Sequence, residues 1–137
     1  MALQFSVGLR NKRGNAIETE IGTAPQLQVR SGSKPANCAA ADSGTLLCSM
    51  TLPSDWYNAF ASGASTKLGT WSGLGVAAGT AGHFRIRKPG SPNSVEIQGN
   101  ITPASSSPTA EMEIDNASIA IGQTVTVTLF SITEGNA

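Results

Sequence analysis

The sequence predicts an all-β fold, a jelly roll or β-sandwich, with one N-terminal helix in a single domain over residues 1–137. Several short segments alternate apolar and polar residues and are separated by turns, which is the pattern of half-buried strands. Ser and Thr make up 29 of the 137 residues and Gly another 15, a composition that suits strands and tight turns. Helical spacing occurs only in residues 5–22.

The helix is predicted in FSVGLRNKRGNAIETEIG, residues 5–22. Ser6 is the expected N-cap. Gly8 and Gly14 each weaken a helix by about 1 kcal/mol relative to Ala. The expected buried face consists of four apolar residues: Phe5, Leu9, Ile17 and Ile21.

The charges of this helix run against its dipole. The basic residues Arg10, Lys12 and Arg13 come before the acidic Glu18 and Glu20, whereas the dipole favours acids first and bases last. Folding alone explains this order poorly. We therefore expect a partner outside the helix to use the three basic side chains.

The middle of the chain predicts two strands, a helical turn and a long loop. QLQVRS (26–31) alternates with period two, and TLLCSMTL (45–52) forms a second strand after the turn-rich SGSKPANCAAADSG. PSDWYNAF (53–60) is expected to form one helical turn that points Trp56 and Phe60 inward. Six glycines in 22 residues predict a long loop over 61–82, with one short strand around KLGTW.

Two antiparallel hairpins are predicted after this loop. GHFRIRK (82–88) and SVEIQGNIT (94–102) are joined by the turn PGSPN, and SSSP then breaks the chain. EMEIDNASI (111–119) and TVTVTLFSIT (124–133) flank the turn-like IGQ.

Alternation divides the first hairpin into two faces. The core face is expected to hold Phe84, Ile86, Val95 and Ile97. The outer face is expected to hold His83, Arg85, Arg87, Glu96 and Gln98. Cross-strand Arg–Glu pairs there would contribute a few tenths to about 1 kcal/mol each. This basic face should be solvated or available to an acidic partner surface.

Composition argues against several classes of function. Nine acids balance nine bases, and charged residues are only 13 % of the chain, so a dedicated nucleic-acid binder is not expected. The sequence has no secretory signal and no apolar run long enough to span a membrane, which indicates a protein made and kept in a cytoplasm. There, Cys38 and Cys48 are expected to be unpaired thiols, with a disulfide as the alternative.

The candidate catalytic residues have simpler structural explanations. His83 is the only histidine, and no nucleophile motif or zinc-ligand spacing accompanies it. Glu111, Glu113 and Asp115 share one side of the EMEID strand, because burying Met112 and Ile114 exposes them. Glycine-rich segments lack a phosphate-binding motif. We expect neither an enzyme nor a metal or cofactor site.

The whole sequence resembles the cement proteins that decorate the heads of tailed phages, most closely the type on the Bordetella phage head. The likeness runs from MALQFSVGLRNKR through SGSKPANCAAADSGTLL and LPSDW to GTAGHFRI and the terminal GNA. It implies a small jelly-roll protein that binds the outside of a shell built from an HK97-like major capsid protein. It also implies a two-fold dimer that ties neighbouring capsomers together on a virion assembled in the bacterial cytoplasm, without direct contact to nucleic acid or membrane.

We expect the contacts with the capsid to involve five basic residues: Arg10, Lys12, Arg13, Arg85 and Arg87. A carbohydrate- or host-surface-binding β-sandwich module is the alternative function, because the rings of Trp56, Tyr57 and Trp71 could stack on sugars. A small hydrolase that uses Glu111 and Glu113 is a third hypothesis.

Overall fold

The computed structural model describes residues 3–90, 94–104 and 110–134. They form a β-rich fold preceded by one helix, as the sequence predicts. The elements in chain order are α1 (Val7–Ile21), β1 (Gln26–Ser31), β2 (Leu46–Thr51), β3 (Ala64–Thr66), β4 (Ser72–Leu74), β5 (Gly79–Arg87), β6 (Val95–Pro103), β7 (Met112–Ile114), β8 (Ser118–Ile119) and β9 (Thr124–Thr133).

The strands form one curled sheet with the order β2-β1-β5-β6-β7-β9-β3. β4 also pairs with β9, and β8 pairs with β5. The β6–β7 pair is parallel, whereas the other pairs are antiparallel. Val76 N–H donates to the Leu47 carbonyl at 2.7 Å, so the segment after β4 reaches β2 and curls the sheet into a half-barrel.

Aromatic side chains form a large part of the buried core. The Phe130 ring lies 5.2 Å from that of Trp71 and 5.7 Å from that of Phe84, measured between centroids. Trp56 is buried beside Trp71. Offset and edge-to-face contacts of this kind stabilise a core beyond the area they bury, so these rings connect β5, β9 and the chain between β2 and β4.

Helix α1 begins and ends as predicted, and its buried face differs from the predicted one only in part. The Ser6 hydroxyl accepts a hydrogen bond from Leu9 N–H at 3.2 Å, which confirms the N-cap. Leu9 itself is exposed, so the predicted apolar face is wrong at that position. Ile21 is buried as predicted, and Ile17 packs against the core. Gly14 is also buried, and a Cβ on it would collide with the Phe60 ring. The glycine permits this close approach.

Tyr57 fixes α1 to the sheet. Its hydroxyl accepts a hydrogen bond from Glu18 N–H at 2.7 Å and donates to the Gly14 carbonyl at 2.8 Å. These two backbone groups are i→i−4 partners in an α-helix, so one side chain joins consecutive turns. Burial and the negative charge of the Glu18 carboxylate raise the pKa of Tyr57 to about 12, although the hydrogen bond from Glu18 N–H acts in the opposite direction.

Two predictions for the middle of the chain are wrong. Residues 53–60 contain no helical turn, although Trp56 and Phe60 do point inward. The segment 61–82 is not a long loop with one short strand around KLGTW (67–71), because it contains β3 and β4 on either side of these residues and the start of β5. A Cβ on Gly75 would collide with the Ala120 carbonyl, and one on Gly73 would meet the Met50 side chain, so here glycine allows close approach rather than marking a loop.

The predicted hairpins are confirmed in their strand pairing. β5 and β6 are antiparallel with Ile86 opposite Ile97, and β7 pairs antiparallel with β9. However, β8 lies between β7 and β9 in the chain and pairs with β5, so the second pair is not a simple hairpin closed by IGQ. Residues 91–93 of the first turn and SSSP (105–108) lie outside the described residues.

Candidate functional site: an arginine cluster and an uncharged surface

The predicted outer face of β5 is buried rather than solvated. His83 is fully buried, and Arg85 and Arg87 are 1 % and 3 % exposed. The turn-rich loop after β1 covers this face, and His83 Nδ1 lies 2.9 Å from the Gly32 carbonyl. The expectation of a solvated basic face is therefore wrong, because alternation separates two faces of a strand without showing what covers each.

The loop is held by Arg85. Its Nη2 donates to the carbonyl oxygens of Asn37, Cys38 and Ala40 at 3.2, 3.0 and 3.0 Å. Gln98 on β6 supports the same loop by donating to the Pro35 carbonyl at 2.8 Å. These residues are separated by more than 40 positions in the sequence, so the cover depends on the folded sheet.

Asp42 joins three arginines in the arginine cluster, which consists of Arg30, Arg85, Arg87 and Asp42. Arg85 Nη1 and Arg87 Nη2 each lie 2.5 Å from Asp42 Oδ1, and Arg30 Nη2 lies 3.1 Å from Oδ2. The prediction of Arg–Glu pairs on this face is wrong, because Arg85 and Arg87 both form ion pairs with Asp42. Glu96 instead accepts a hydrogen bond from Ser94.

The pKa of Asp42 reflects these contacts. Burial raises it, but the hydrogen bond from Arg85 and the positive charges of Arg30, Arg87 and Arg85 outweigh burial. The pKa is consequently held below its ordinary value of 3.8, and the carboxyl group is ionised at neutral pH.

A cavity of about 300 Å³ opens beside the cluster. It is lined by Cys38, Ala39, Ala40, Ala41, Asp42, Arg85, Arg87 and Val95. Cys38 is a free, half-buried thiol in this lining, whereas Cys48 is a free and fully buried thiol on β2. Burial raises the pKa of Cys48, so only Cys38 offers a thiol that solvent can reach.

The basic residues of α1 are divided between internal contacts and solvent. Arg10 Nε donates to the Glu134 carbonyl at 2.8 Å, and Arg13 Nη2 forms a 3.0 Å ion pair with the Glu134 carboxylate. These contacts join α1 to the end of β9, so folding does explain two of the three charges. Lys12 is exposed on the helix. None of these three residues meets Arg85 or Arg87 in the contacts of the described chain.

A second surface carries no charge. The sequence has no Asp, Glu, Lys or Arg in residues 68–82 or 116–133, and β4–β9 and β5–β8 pairing brings these stretches together. Leu74, Val76 and Ile121 are 59 %, 56 % and 74 % exposed there. We call this the uncharged surface and define it by these three residues.

Backbone hydrogen bonds hold the uncharged surface together. Gly75 N–H donates to the Gln123 carbonyl, and Gly122 N–H donates to the Gly75 carbonyl, both at 2.8 Å. Leu74 and Val76 therefore lie beside the turn that carries Ile121. Sequence motifs did not predict this surface, although the absence of Asp, Glu, Lys and Arg from residues 68–82 and 116–133 is a signal that the sequence contains.

Most of the remaining candidates are buried or make structural contacts. Trp56, Tyr57 and Trp71 are buried, so the expected sugar-stacking platform is wrong for these rings. Glu111 accepts a hydrogen bond from Asn100 N–H, and Asp115 from Asn116 N–H and Thr126 N–H, which are structural contacts of β7.

Residues 3–90, 94–104 and 110–134 contain no group of three or more His, Cys, Asp or Glu side chains placed to hold a metal ion. In the same ranges, no helix has the length and apolar character needed to cross a membrane. No protein-family model, curated protein or solved structure matches the chain.

Proposed function

We propose that this protein is a cement protein, a non-enzymatic structural component that binds the outer surface of a tailed-phage capsid and stabilises contacts between capsomers. The observation that carries the proposal is the full-length order of stretches that resembles this family, from MALQFSVGLRNKR to GNA. The β-rich fold with an N-terminal helix agrees with that resemblance at the level of fold class. The partners in this proposal are the major capsid protein and a second copy of the chain.

A jelly roll is the finer form of the proposal. The curled sheet and its mainly antiparallel strand pairs support a jelly roll. The parallel β6–β7 pair is a departure from a purely antiparallel sheet. The virion exterior is the proposed location, with assembly in the bacterial cytoplasm.

The uncharged surface is our proposed contact with the shell. Interface cores are depleted in charged residues, and exposed apolar patches commonly mark interaction sites. Leu74, Val76 and Ile121 supply such a patch without nearby charges in their own segments. Lys12 remains a predicted contact at the rim, whereas Arg85 and Arg87 would act through the loop that covers them.

Occupancy of phage heads tests the contact. Heads lacking this protein are mixed with wild type or with the double variant Leu74→Asp, Ile121→Asp, and the bound protein is quantified. Burying an aliphatic side chain contributes about 1.5–3 kcal/mol, so each replacement should weaken binding about tenfold or more. Thr19→Asp, an added charge on the exposed side of α1, is the matched control and should bind normally.

Two outcomes would count against the proposal. Because both replaced side chains are exposed, the double variant should unfold at the same urea concentration as wild type, and unchanged occupancy would then remove the uncharged surface as the contact. Heads without the protein should also release DNA at a lower temperature than complete heads. Equal robustness, together with failure of the wild-type chain to bind, would overturn the function itself.

A further inference from the structure

Helix α1 exposes an apolar side chain on the same face that borders a groove. Leu9 is 46 % exposed. It is followed on that face by Arg13, Ala16 and Glu20, at spacings of four, three and four residues, which place side chains along one side of a helix. Arg13, Ala16 and Glu20 line a groove between α1 and β6, so Leu9 lies one turn before the groove.

The groove offers an apolar surface that the fold leaves open. We call it the α1–β6 groove; its volume is about 350 Å³, and its lining includes Ile17, Ile21 and Ile97. Ile17 and Ile97 are only partly buried and pack at the margin of the core. An aliphatic side chain that entered from outside would remove this remaining apolar surface from water, which is favourable.

The two halves of α1 carry opposite charges. Its first half holds three basic residues and its second half holds Glu18 and Glu20. Lys12 in the basic half is exposed and forms no ion pair in the described part of the chain. Glu20 is 72 % exposed even though it pairs with Lys88 at 2.9 Å. Such a helix is complementary in charge to an antiparallel copy of itself.

We propose that α1 binds α1 of a second copy of this chain in an antiparallel pair around a two-fold axis. A two-fold contact uses the same patch on both copies, so the patch must be complementary to itself. When residue 9 of one copy lies opposite residue 20 of the other, each Leu9 enters the α1–β6 groove of its partner. Each basic half then lies along an acidic half.

The proposal assigns a surface to a partner that the proposed function only names. It rests on the proposed function for the biological role of the second copy, and it leaves the uncharged surface to the shell. The contact itself needs no capsid. Self-association can therefore be measured in solution and can fail independently of head binding.

Sedimentation equilibrium of the purified chain measures the association. The mass should rise with concentration from 14.0 kDa towards twice that value. Leu9→Glu should weaken the association about a hundredfold or more, because burial of one aliphatic side chain contributes at least about tenfold and each dimer loses two. The variant keeps the helix, since a Glu three residues after the N-cap Ser6 completes a capping box.

Three further variants separate this contact from general effects of charge. Glu20→Lys should weaken the association about threefold or more, because it places a positive charge against the basic half of the partner. Lys34→Glu, a reversal on the exposed loop after β1, should not weaken it. The double variant Leu74→Asp, Ile121→Asp changes only the uncharged surface and should associate like wild type.

Cross-linking with a short bismaleimide tests the direction of the pair. Both variants carry Cys38→Ser, which removes the half-buried thiol, while Cys48 is fully buried. Ala16→Cys should be linked between copies, because the two positions lie about 4–5 Å apart along the helix axes. Gly8→Cys should not be linked, because its copies are about 20 Å apart along the axes.

The outcomes decide the proposal in either direction. A monomeric mass for wild type up to about 1 mM would overturn it, as would wild-type association of Leu9→Glu or equal cross-linking at positions 8 and 16. Loss of association in the double variant would move the self-contact to the uncharged surface and would also overturn it. If Leu9→Glu unfolds at lower urea than wild type, Glu20→Lys and the cross-links decide.

Head binding of wild type is measured separately. A chain that binds heads but stays monomeric would refute the α1 contact and leave the proposed function intact. A chain that forms the α1 dimer but fails to bind heads would refute the proposed function and leave the α1 contact intact.

Discussion

Replacing Asp42 with Ala should destabilise the fold by about 2–3 kcal/mol. The change removes the carboxylate that accepts hydrogen bonds from Arg85, Arg87 and Arg30. Removing one partner of a buried ion pair costs about 3–5 kcal/mol, because the other charge stays behind uncompensated. The Asp42 side chain is 34 % exposed, so water can hydrate the abandoned guanidinium groups and recover part of that cost.

Urea denaturation of wild type and Asp42→Ala at pH 7 measures this loss. Ser43→Ala is the control, since it changes the neighbouring residue and removes only a hydroxyl that donates to the Ser33 carbonyl at 3.1 Å. The control should lower the free energy of unfolding by less than about 0.5 kcal/mol. An equally small loss for Asp42→Ala would show that the cluster does not stabilise the fold.

The pH dependence of the same comparison gives a second check. The pKa of Asp42 is lower in the folded protein than its ordinary value of 3.8, so its ionised form stabilises the fold above that value. The contribution is lost as the pH falls through the lowered pKa. The difference between wild type and Asp42→Ala should therefore be constant between pH 7 and about pH 5 and should shrink below pH 3.8. A difference that persists at lower pH would contradict a role for the charge.

Three further substitutions test how α1 is attached. Gly14→Ala should lower the free energy of unfolding by about 1–3 kcal/mol, because the added Cβ would collide with Phe60. Gly8→Ala, where the added Cβ has open space, should raise it by up to about 1 kcal/mol. Equal urea midpoints for the two variants would contradict close packing of Gly14 against Phe60. Glu18→Gln should stabilise by up to about 1 kcal/mol at pH 7, because burial and nearby Asp55 raise the pKa of Glu18. In wild type the stabilising effect of protonated Glu18 is fully present below pH 4.5, the ordinary pKa of the group, and is lost as the pH rises through the raised pKa of the folded protein. Urea denaturation of Glu18→Gln at a series of pH values should show no such loss of unfolding free energy.

Local sequence pattern predicted the long regular elements because their burial follows a simple period. β1, β6 and β9 begin within a residue or two of the predicted strands, and Ser6 marks the start of α1. Local pattern did not predict the strands of the glycine-rich segment 61–82. Its short strands, β3 and β4, are defined by pairing with distant β9, and no short-range signal carries that information.

The arginine cluster was only half visible in the sequence. Alternation correctly placed Arg85 and Arg87 on the face opposite Phe84 and Ile86, but it could not show that a loop would cover that face. The useful signal was Asp42, the one acid in SGSKPANCAAADSG. A lone carboxylate in a loop of small residues can reach a buried arginine where a bulky loop could not pack closely.

The use of charge within the fold explains why the uncharged surface is the better candidate for partner binding. Five basic side chains of the described residues form ion pairs inside the chain, namely Arg13, Arg30, Arg85, Arg87 and Lys88. A protein with 13 % charged residues that uses so many of them internally has few left for electrostatic recognition. Contacts of Leu74, Val76 and Ile121 do not depend on charge and are little screened by salt. Attachment through them would therefore hold at ionic strengths that weaken a contact made by Lys12.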